Sequence, residues 1–217
     1  MDELLPRVTV TPDTAPAVIE GWRAGAPVPP LAGGQGTRRD VWLEVGFGGG
    51  EHLAWQAERN PGTLMIGAEP FINGAAKLLG AVDDRALANV RIRHGDARDL
   101  MARVPDASIA RAFVLHPDPW PKRKHWRRRI VSVPFLTEMH RIAAPGAELR
   151  IASDIPDYVR WTLMMRTLAE AAGARWDWTA RRMADWTQRP DDWPQTRYEA
   201  KAIREGRTPT YLSFRRG

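Results

Sequence analysis

Residues 41–50 have the sequence Val-Trp-Leu-Glu-Val-Gly-Phe-Gly-Gly-Gly, an apolar run followed by a glycine-rich stretch. The apolar part predicts a buried strand at 41–46, and a helical pattern follows at 50–59. Glycines at alternate positions permit a tight turn and let a ligand approach the main chain closely. This stretch therefore predicts a strand–turn–helix unit with a small-molecule site at the turn.

Apolar runs and helical patterns alternate along the rest of the chain. Further strands are predicted at 64–68, 90–93, 112–115, 147–152 and 210–214, and helices at 71–82, 133–142 and 158–172. This alternation favours an α/β fold in which a mostly parallel sheet carries helices on both faces. Ligands bind such sheets at the carboxyl ends of the strands, so we expect functional residues directly after each strand.

The composition limits the classes of protein that the chain can belong to. Its 217 residues contain no cysteine, which excludes disulfide frameworks, thiolate metal sites and a cysteine nucleophile. No apolar run is long enough to span a membrane, and the N-terminus lacks the apolar region of a secretory signal. We therefore expect a cytoplasmic protein. Six prolines among the first 40 residues predict a loosely ordered extension at 1–40, with a short helix at 15–23, ahead of one domain at 41–217.

The charge is unevenly distributed. The chain has 32 basic and 26 acidic residues, and residues 118–217 hold 20 of the basic and 12 of the acidic ones. A basic half favours a polyanionic partner such as nucleic acid. An arginine-rich composition without functional meaning is the alternative source of this charge.

Acidic residues accompany the first three predicted strands. Glu44 lies just before the glycines, Glu69 follows the second strand, and Asp96 follows the third. A carboxylate at such a position can accept hydrogen bonds from ribose hydroxyls, as at Glu69, or from an adenine amino group, as at Asp96. A helix N-cap is the alternative role for Asp96. The dinucleotide pattern Gly-x-Gly-x-x-Gly is not met, because Glu51 occupies its last position.

The fourth strand leads into the most unusual segment. Residues 116–129 have the sequence His-Pro-Asp-Pro-Trp-Pro-Lys-Arg-Lys-His-Trp-Arg-Arg-Arg. Prolines on both sides of Asp118 restrict the main chain, so this carboxylate lies on a stiffened loop at the edge of the sheet. The basic residues that follow can neutralise phosphates, and an aromatic ring among them can stack on an exposed base. Core packing is the alternative role for Trp120.

These motifs together resemble the bacterial tRNA (guanine-N7)-methyltransferases. The Glu-x-Gly-x-Gly-x-Gly pattern at 44–50 is typical of class I methyltransferases in general, and the Asp-Pro-Trp segment with its basic tail is the specific element. Residues 153–158 and 196–206 resemble two later family segments, and the match covers roughly 40–214. Arg197 stands where the family usually has lysine, and the two side chains differ in geometry.

The resemblance implies a fold, a cofactor and a substrate. The fold is a Rossmann-like class I methyltransferase fold with a mostly parallel seven-stranded sheet. The cofactor is S-adenosylmethionine, and the target is N7 of a guanosine in tRNA, in the variable loop at position 46 of tRNA numbering. No metal is required, and the scattered histidines do not suggest one. We expect a monomer, since the sequence contains no recognisable pairing element.

The resemblance also implies three sets of site residues, with Asp118 as the catalytic candidate. The cofactor set is Glu44, Gly46, Gly48, Glu69, Asp96 and Asp118. The substrate set is Lys122, Asp154, Thr196, Arg197, Tyr198 and Glu199. The RNA-binding set is Lys124, His125, Trp126, Arg127, Arg128 and Arg129.

Other functions stay open on the sequence. A methyltransferase could act on another RNA position, a protein or a small molecule, although the basic run favours RNA. The chain could also be a scaffold that binds the cofactor and RNA without catalysis. An NAD-dependent oxidoreductase is disfavoured by the incomplete glycine fingerprint. The tryptophans at 176, 178, 186 and 193 could either cover the site or stack on RNA.

Overall fold

The computed structural model describes residues 4–25 and 39–217. A seven-stranded sheet with the order β3-β2-β1-β4-β5-β7-β6 forms its centre. Only β7 runs antiparallel to its neighbours, and β1 to β5 pair in parallel. The strands are β1 (Val41–Val45), β2 (Leu64–Glu69), β3 (Val90–His94), β4 (Ile109–Leu115), β5 (Ala143–Ser153), β6 (Trp176–Trp178) and β7 (Thr210–Arg216). The predicted α/β class and the mostly parallel seven-stranded sheet are confirmed.

Helices cover both faces of the sheet. They are α1 (Leu4–Val8), α2 (Ala15–Arg23), α3 (Glu51–Arg59), α4 (Ile72–Asp84), α5 (Ala97–Met101), α6 (Val133–Ile142), α7 (Pro156–Ala171), α8 (Ala184–Thr187) and α9 (Arg197–Arg204), with a 3-10 helix at Arg123–Arg128. Helices α2, α5, α6 and α7 enclose one apolar core, and α3 and α4 enclose the other. None of the helices in the described ranges has the length and apolar character needed to cross a membrane.

Local chemistry explains the boundaries that the sequence predicts well. Helix α6 begins where the Ser132 hydroxyl accepts a hydrogen bond from the Phe135 amide, and proline occupies its first turn. Every residue of β1 and β2 is buried, because helices cover both faces of these central strands. The short elements β6, α8 and the 3-10 helix were not predicted, since so few residues carry no clear periodicity. Helix α9 was not predicted either, although the Thr196 cap and its amphipathic pattern were usable signals.

The expected loose order of the N-terminal extension is wrong for residues 4–25. Helix α2 lies at 15–23 as predicted, and Ile19 and Trp22 are buried in the core. Thr9 also bridges to Ile92 at the edge of the sheet. Apolar spacing along α2 outweighs the effect of the prolines, which lie at its first turn or outside it. Residues 1–3 and 26–38 fall outside the described ranges.

We predict that Ile19→Ala lowers the free energy of unfolding by about 2–5 kcal/mol, because it removes a fully buried side chain. Glu20→Ala, at the neighbouring exposed position, should change it by about 0.5 kcal/mol or less. Urea denaturation of both variants measures the difference. Equal stabilities would mean that α2 does not dock on the core.

Candidate active site

A pocket of about 360 Å³ opens at the carboxyl ends of β1, β2, β3 and β4. This volume lies in the range of small-ligand sites, roughly 300–1,000 Å³. The predicted site residues on its wall are Gly46, Gly48, Glu69, Asp96, Asp118, Arg128, Arg197 and Tyr198. One pocket thus brings together residues predicted from four strand ends, from the basic run and from the C-terminal motif.

The glycine turn is shaped by close approaches of the chain. Gly48 has a φ of 58°, and a Cβ atom there would lie 2.9 Å from Cε2 of Tyr198. A Cβ atom on Gly74, in the first turn of α4, would lie 2.1 Å from the main-chain oxygen of Gly48. Both positions therefore require glycine, and the turn is packed between α4 and α9.

The carboxylate of Glu69 braces this turn. Its Oε2 accepts a hydrogen bond of 2.8 Å from the Gly48 amide, and its Oε1 accepts one of 2.9 Å from the Phe71 amide. The residue lines the pocket although it is only 4% exposed. Each carboxylate oxygen has a second acceptor position, so Glu69 can bind a ligand while it holds the turn.

Asp96 lines the pocket and also caps α5. Its Oδ1 accepts from the Arg98 amide, and the Arg98 guanidinium donates to both oxygens. The side-chain hydrogen bonds from Arg98 lower the pKa of Asp96, so the group is ionised at neutral pH. The alternative N-cap role is therefore confirmed, and it coexists with a place on the pocket wall.

Glu44 does not lie on the pocket wall. The residue is 2% exposed, and its Oε2 lies 2.7 Å from Nδ1 of the buried His52. The His52 ring packs edge-on against Phe113, and its Nε2 lies 3.2 Å from the amide nitrogen of Gln56. Because alternate residues of a strand face opposite sides, Glu44 lies under α3 and supports the turn from behind.

Asp118 lies on the pocket wall with a free carboxylate. Within the described part of the chain, this carboxylate has no hydrogen bond or ion pair, and the residue is exposed. His116 and Trp120, on either side of it, have φ values of 49° and 41°. Such positions cost about 1–3 kcal/mol each unless the surroundings impose them, and they concentrate at functional sites.

Asp154 reaches the site through His116. Its Oδ1 lies 3.2 Å from Nδ1 of His116, which lines the pocket, and Nε of Arg207 donates to its Oδ2 at 2.5 Å. Burial alone would raise the pKa of Asp154, but the hydrogen bonds from Arg207 and His116 hold it below its usual value. The sequence analysis missed Arg207, since nothing in its spacing links it to Asp154. It also missed His116, although a position directly after β4 was a usable signal for a pocket residue.

The motif at 196–199 is divided between the surface and the interior. Arg197 and Tyr198 line the pocket, with the Arg197 guanidinium over the Tyr198 ring. Thr196 and Glu199 are buried, and Thr196 caps α9 by accepting from the Glu199 amide. Tyr211 donates to Oε1 of Glu199, while Oε2 has no partner among the described residues. Direct contact of Thr196 and Glu199 with substrate stays a prediction.

The basic run separates by burial. Lys122, Lys124, Arg127 and Arg128 are exposed, and Arg128 lies over the Trp120 ring, against which His125 packs. Arg129 is 3% exposed and pairs with Asp157, so its burial does not support the predicted contact with RNA. Trp126 is half-buried and packs on Trp161 and on the Arg129 guanidinium, so stacking on RNA is not supported.

The late tryptophans serve mainly as packing groups. Trp176 and Trp193 are buried, Trp186 is half-buried and Trp178 is exposed. Trp193 contacts Phe113 and Tyr211, and Arg150 lies over its ring. The segment before α9 is therefore anchored on the sheet, which sets the position of Tyr198 above the glycine turn.

Two solved structures share this fold at low sequence identity. The 16S rRNA methyltransferase KamB aligns over 93% of each chain with a TM-score of 0.59 and 17% identity. A 16S rRNA (adenine(1408)-N(1))-methyltransferase variant with cosubstrate SAM from Catenulisporales acidiphilia aligns over 95% of this chain and 91% of that chain, with a TM-score of 0.56 and 17% identity. The fold is thus that of class I methyltransferases.

Sequence comparison identifies much closer relatives. Residues 38–212 match a family model described as a putative methyltransferase. A tRNA (guanine-N(7)-)-methyltransferase of Ruegeria sp. (strain TM1040) is 50% identical over all of this chain and 80% of its own length. One of Ruegeria pomeroyi is 55% identical over 82% of this chain and 73% of its own length. The chain therefore belongs to the tRNA (guanine-N(7)-)-methyltransferase family.

Proposed function

We propose that this protein transfers a methyl group from S-adenosylmethionine to N7 of a guanosine in cytoplasmic tRNA, in the variable loop at position 46 of tRNA numbering. The observation that carries the proposal is the meeting of the glycine turn, Glu69, Asp96 and the free carboxylate of Asp118 at one pocket. Relatives about half identical to the chain, named for guanine-N7 methylation of tRNA, support the reaction.

The chemistry of the pocket supports S-adenosylmethionine as the ligand. Gly46 lines the pocket, and the position of a Cβ atom there has nothing within 4 Å, so a ligand can lie close to the main chain. Glu69 and Asp96 are acceptors for ribose hydroxyls and an adenine amino group, respectively. The exposed Phe71, also on the wall, offers apolar surface beside Glu69.

The reaction requires alignment more than proton transfer. S-adenosylmethionine supplies an electrophilic methyl group on a positively charged sulfur. N7 of neutral guanine has a free lone pair and carries no proton, so no base is needed to generate the nucleophile. The protein's task is to hold N7 in line with the methyl–sulfur bond, and such positioning can lower a barrier by roughly 7–11 kcal/mol at its upper range.

Asp118 is our candidate for electrostatic stabilisation. Positive charge moves from sulfur to guanine during transfer, and a fixed carboxylate nearby stabilises it throughout. Asp118 is chosen for this role because it lines the pocket, on a loop whose prolines limit its motion and with no partner in the described chain that would compete. In this proposal it orients the guanine or the cofactor and does not act as a general base.

Substrate binding is assigned to the residues around this loop. Asp154, held ionised by Arg207 and His116, is a second acceptor near the base. Lys122, Arg197 and Tyr198 lie on the exposed side, with Thr196 and Glu199 beneath. Lys124, His125, Arg127 and Arg128 bind tRNA phosphates or bases. The target guanine must leave its stacked position before N7 can reach the pocket.

The direct test is methyl transfer from labelled S-adenosylmethionine to unmodified tRNA transcripts, followed by chain cleavage specific to 7-methylguanosine. We expect one cut in the variable loop. Incorporation of label without this cut would indicate methylation at another RNA position, which is the alternative function. Cofactor binding without incorporation into any RNA class would contradict the proposal.

A matched glycine pair tests the cofactor site. Gly74→Ala should weaken S-adenosylmethionine binding by about tenfold or more, because its Cβ atom would displace the glycine turn, and overpacking costs about 1–3 kcal/mol. Gly80→Ala on the same helix meets nothing within 4 Å and should bind normally, with stability raised by about 0.5–1 kcal/mol. Calorimetric titration measures both affinities. Equal affinities would mean that the glycine turn takes no part in binding the cofactor.

The role of Asp118 is tested by Asp118→Asn, which keeps the shape and removes the charge. We expect kcat at saturating tRNA and cofactor to fall by roughly 100-fold, the scale of losing one preorganised electrostatic group. Asp191→Asn removes an exposed charge that does not line the pocket and serves as the control. Turnover near that of the unmodified protein would exclude Asp118 from the chemistry.

A further inference from the structure

Arg129 occupies an enclosed position directly behind the loop that carries Asp118. Its side chain is 1% exposed, and three aromatic rings surround its guanidinium. The guanidinium carbon lies 5.0 Å from the ring centre of Trp126, 5.0 Å from that of Trp161 and 5.4 Å from that of Tyr158. An ion pair with Asp157 at 2.6 Å balances the charge, so Arg129 has no surface left for a phosphate.

The Asp118 loop depends on a donor from outside itself. Residues 117, 119 and 121 are prolines, which have no amide hydrogen to donate. Across the described ranges, residues 117–121 make no hydrogen bond between two main-chain groups. Arg129 donates to this loop twice, from Nε to the oxygen of Pro119 at 2.8 Å and from a terminal nitrogen to that of Trp120 at 3.5 Å.

The same guanidinium connects the loop to α7. Asp157 lies in the first turn of α7, and Tyr158 and Trp161 follow on the same helix. The Trp161 indole donates to the oxygen of Val131, which fixes the chain just after the basic run. Helix α7 starts two residues after Asp154, so Arg129 joins the Asp118 loop to the segment that carries the second carboxylate of the site.

We propose that Arg129 is a positioning residue for Asp118 and makes no contact with RNA, although it lies in the basic run. It sets the place of the Asp118 carboxylate relative to Asp154 by holding the Pro119 carbonyl against α7. The inference rests on the proposed function for the role of Asp118. A planar guanidinium can donate to the loop and to Asp157 at the same time, which a lysine ammonium does less well.

The test compares three arginine-to-glutamine variants of the full chain. Arg129→Gln removes the loop anchor. Arg127→Gln removes an exposed charge two residues away that has no partner in the described chain. Arg216→Gln removes an arginine that donates to a main-chain oxygen, that of Ala143, at the opposite end of β5 from the pocket. The measurements are kcat at saturating substrates, and tRNA affinity as a function of salt.

We expect Arg129→Gln to lower kcat by roughly 10- to 100-fold, because small misplacement of a reacting group has effects of this size. Its salt slope for tRNA binding should equal that of the unmodified protein, since no phosphate contact is lost. Arg127→Gln should lower that slope by about 0.7–0.9, the value for one phosphate. Arg216→Gln should keep kcat and lose only thermal stability.

Two results would overturn the inference. A reduced salt slope in Arg129→Gln would make Arg129 an RNA contact. A kcat as high as that of Arg216→Gln would leave Arg129 with a structural role only. If Arg129→Gln does not fold, Arg129→Lys and Asp157→Asn carry the same comparison, with a smaller expected fall in kcat.

Amide NMR separates this inference from the proposed function. The amide resonances of Asp118, Trp120 and Lys122 should shift, and their order parameters should fall, in Arg129→Gln but not in Arg216→Gln, whatever the enzyme methylates. Altered resonances together with inactive unmodified protein would refute the proposed function and retain the anchor. Unaltered resonances would refute the anchor even if tRNA is methylated.

Discussion

The parallel pairing of β1 with β2 on one side and β4 on the other is the constraint on which the site depends. Val45 pairs with Ala68, and Leu115 of β4 pairs with Ala152 of β5. Parallel strands in register end at the same edge of the sheet, so the segments that follow them must meet there. The pairing of β1 with β2 and β4, together with that of β4 with β5, brings the glycine turn, Glu69, the Asp118 loop and Asp154 to one edge across more than a hundred residues of chain.

Burial then decides whether each carboxylate or arginine faces the pocket and the surface or supports the structure from within. Glu69 and Asp96 hold main-chain amides and still face the pocket, whereas Glu44 supports the turn through His52 and Asp118 has no partner in the described chain. An arginine with an enclosed guanidinium and an acidic partner, such as Arg129, cannot neutralise a phosphate. Neighbours in one basic run therefore divide into exposed residues and one buried residue that donates to the Asp118 loop.

Sequence patterns predicted long elements well and short ones poorly. Helix α6 was predicted to the residue because of its apolar periodicity and its Ser132 cap, and β1 and β2 were predicted within one residue because they are largely apolar runs. Strand β6, with three residues, has no comparable local signal, whereas the Thr196 cap of α9 is a signal that the sequence analysis did not use. The N-terminal prolines suggested loose order, but Ile19 and Trp22 dock on the core through contacts that composition does not encode.

The sequence by itself determined the fold class, through local periodicity and glycine at turns, and it indicated the family through the resemblance of its motifs. It also predicted part of the pocket wall, because residues that directly follow parallel strands are neighbours of local signals. Only the tertiary structure decided which residues of each motif face the pocket. Glu44 turns away, Arg129 turns inward, and Arg207 reaches Asp154 across 53 positions. The reason is that side-chain direction and burial depend on which element packs against each residue, and those elements are distant in the chain.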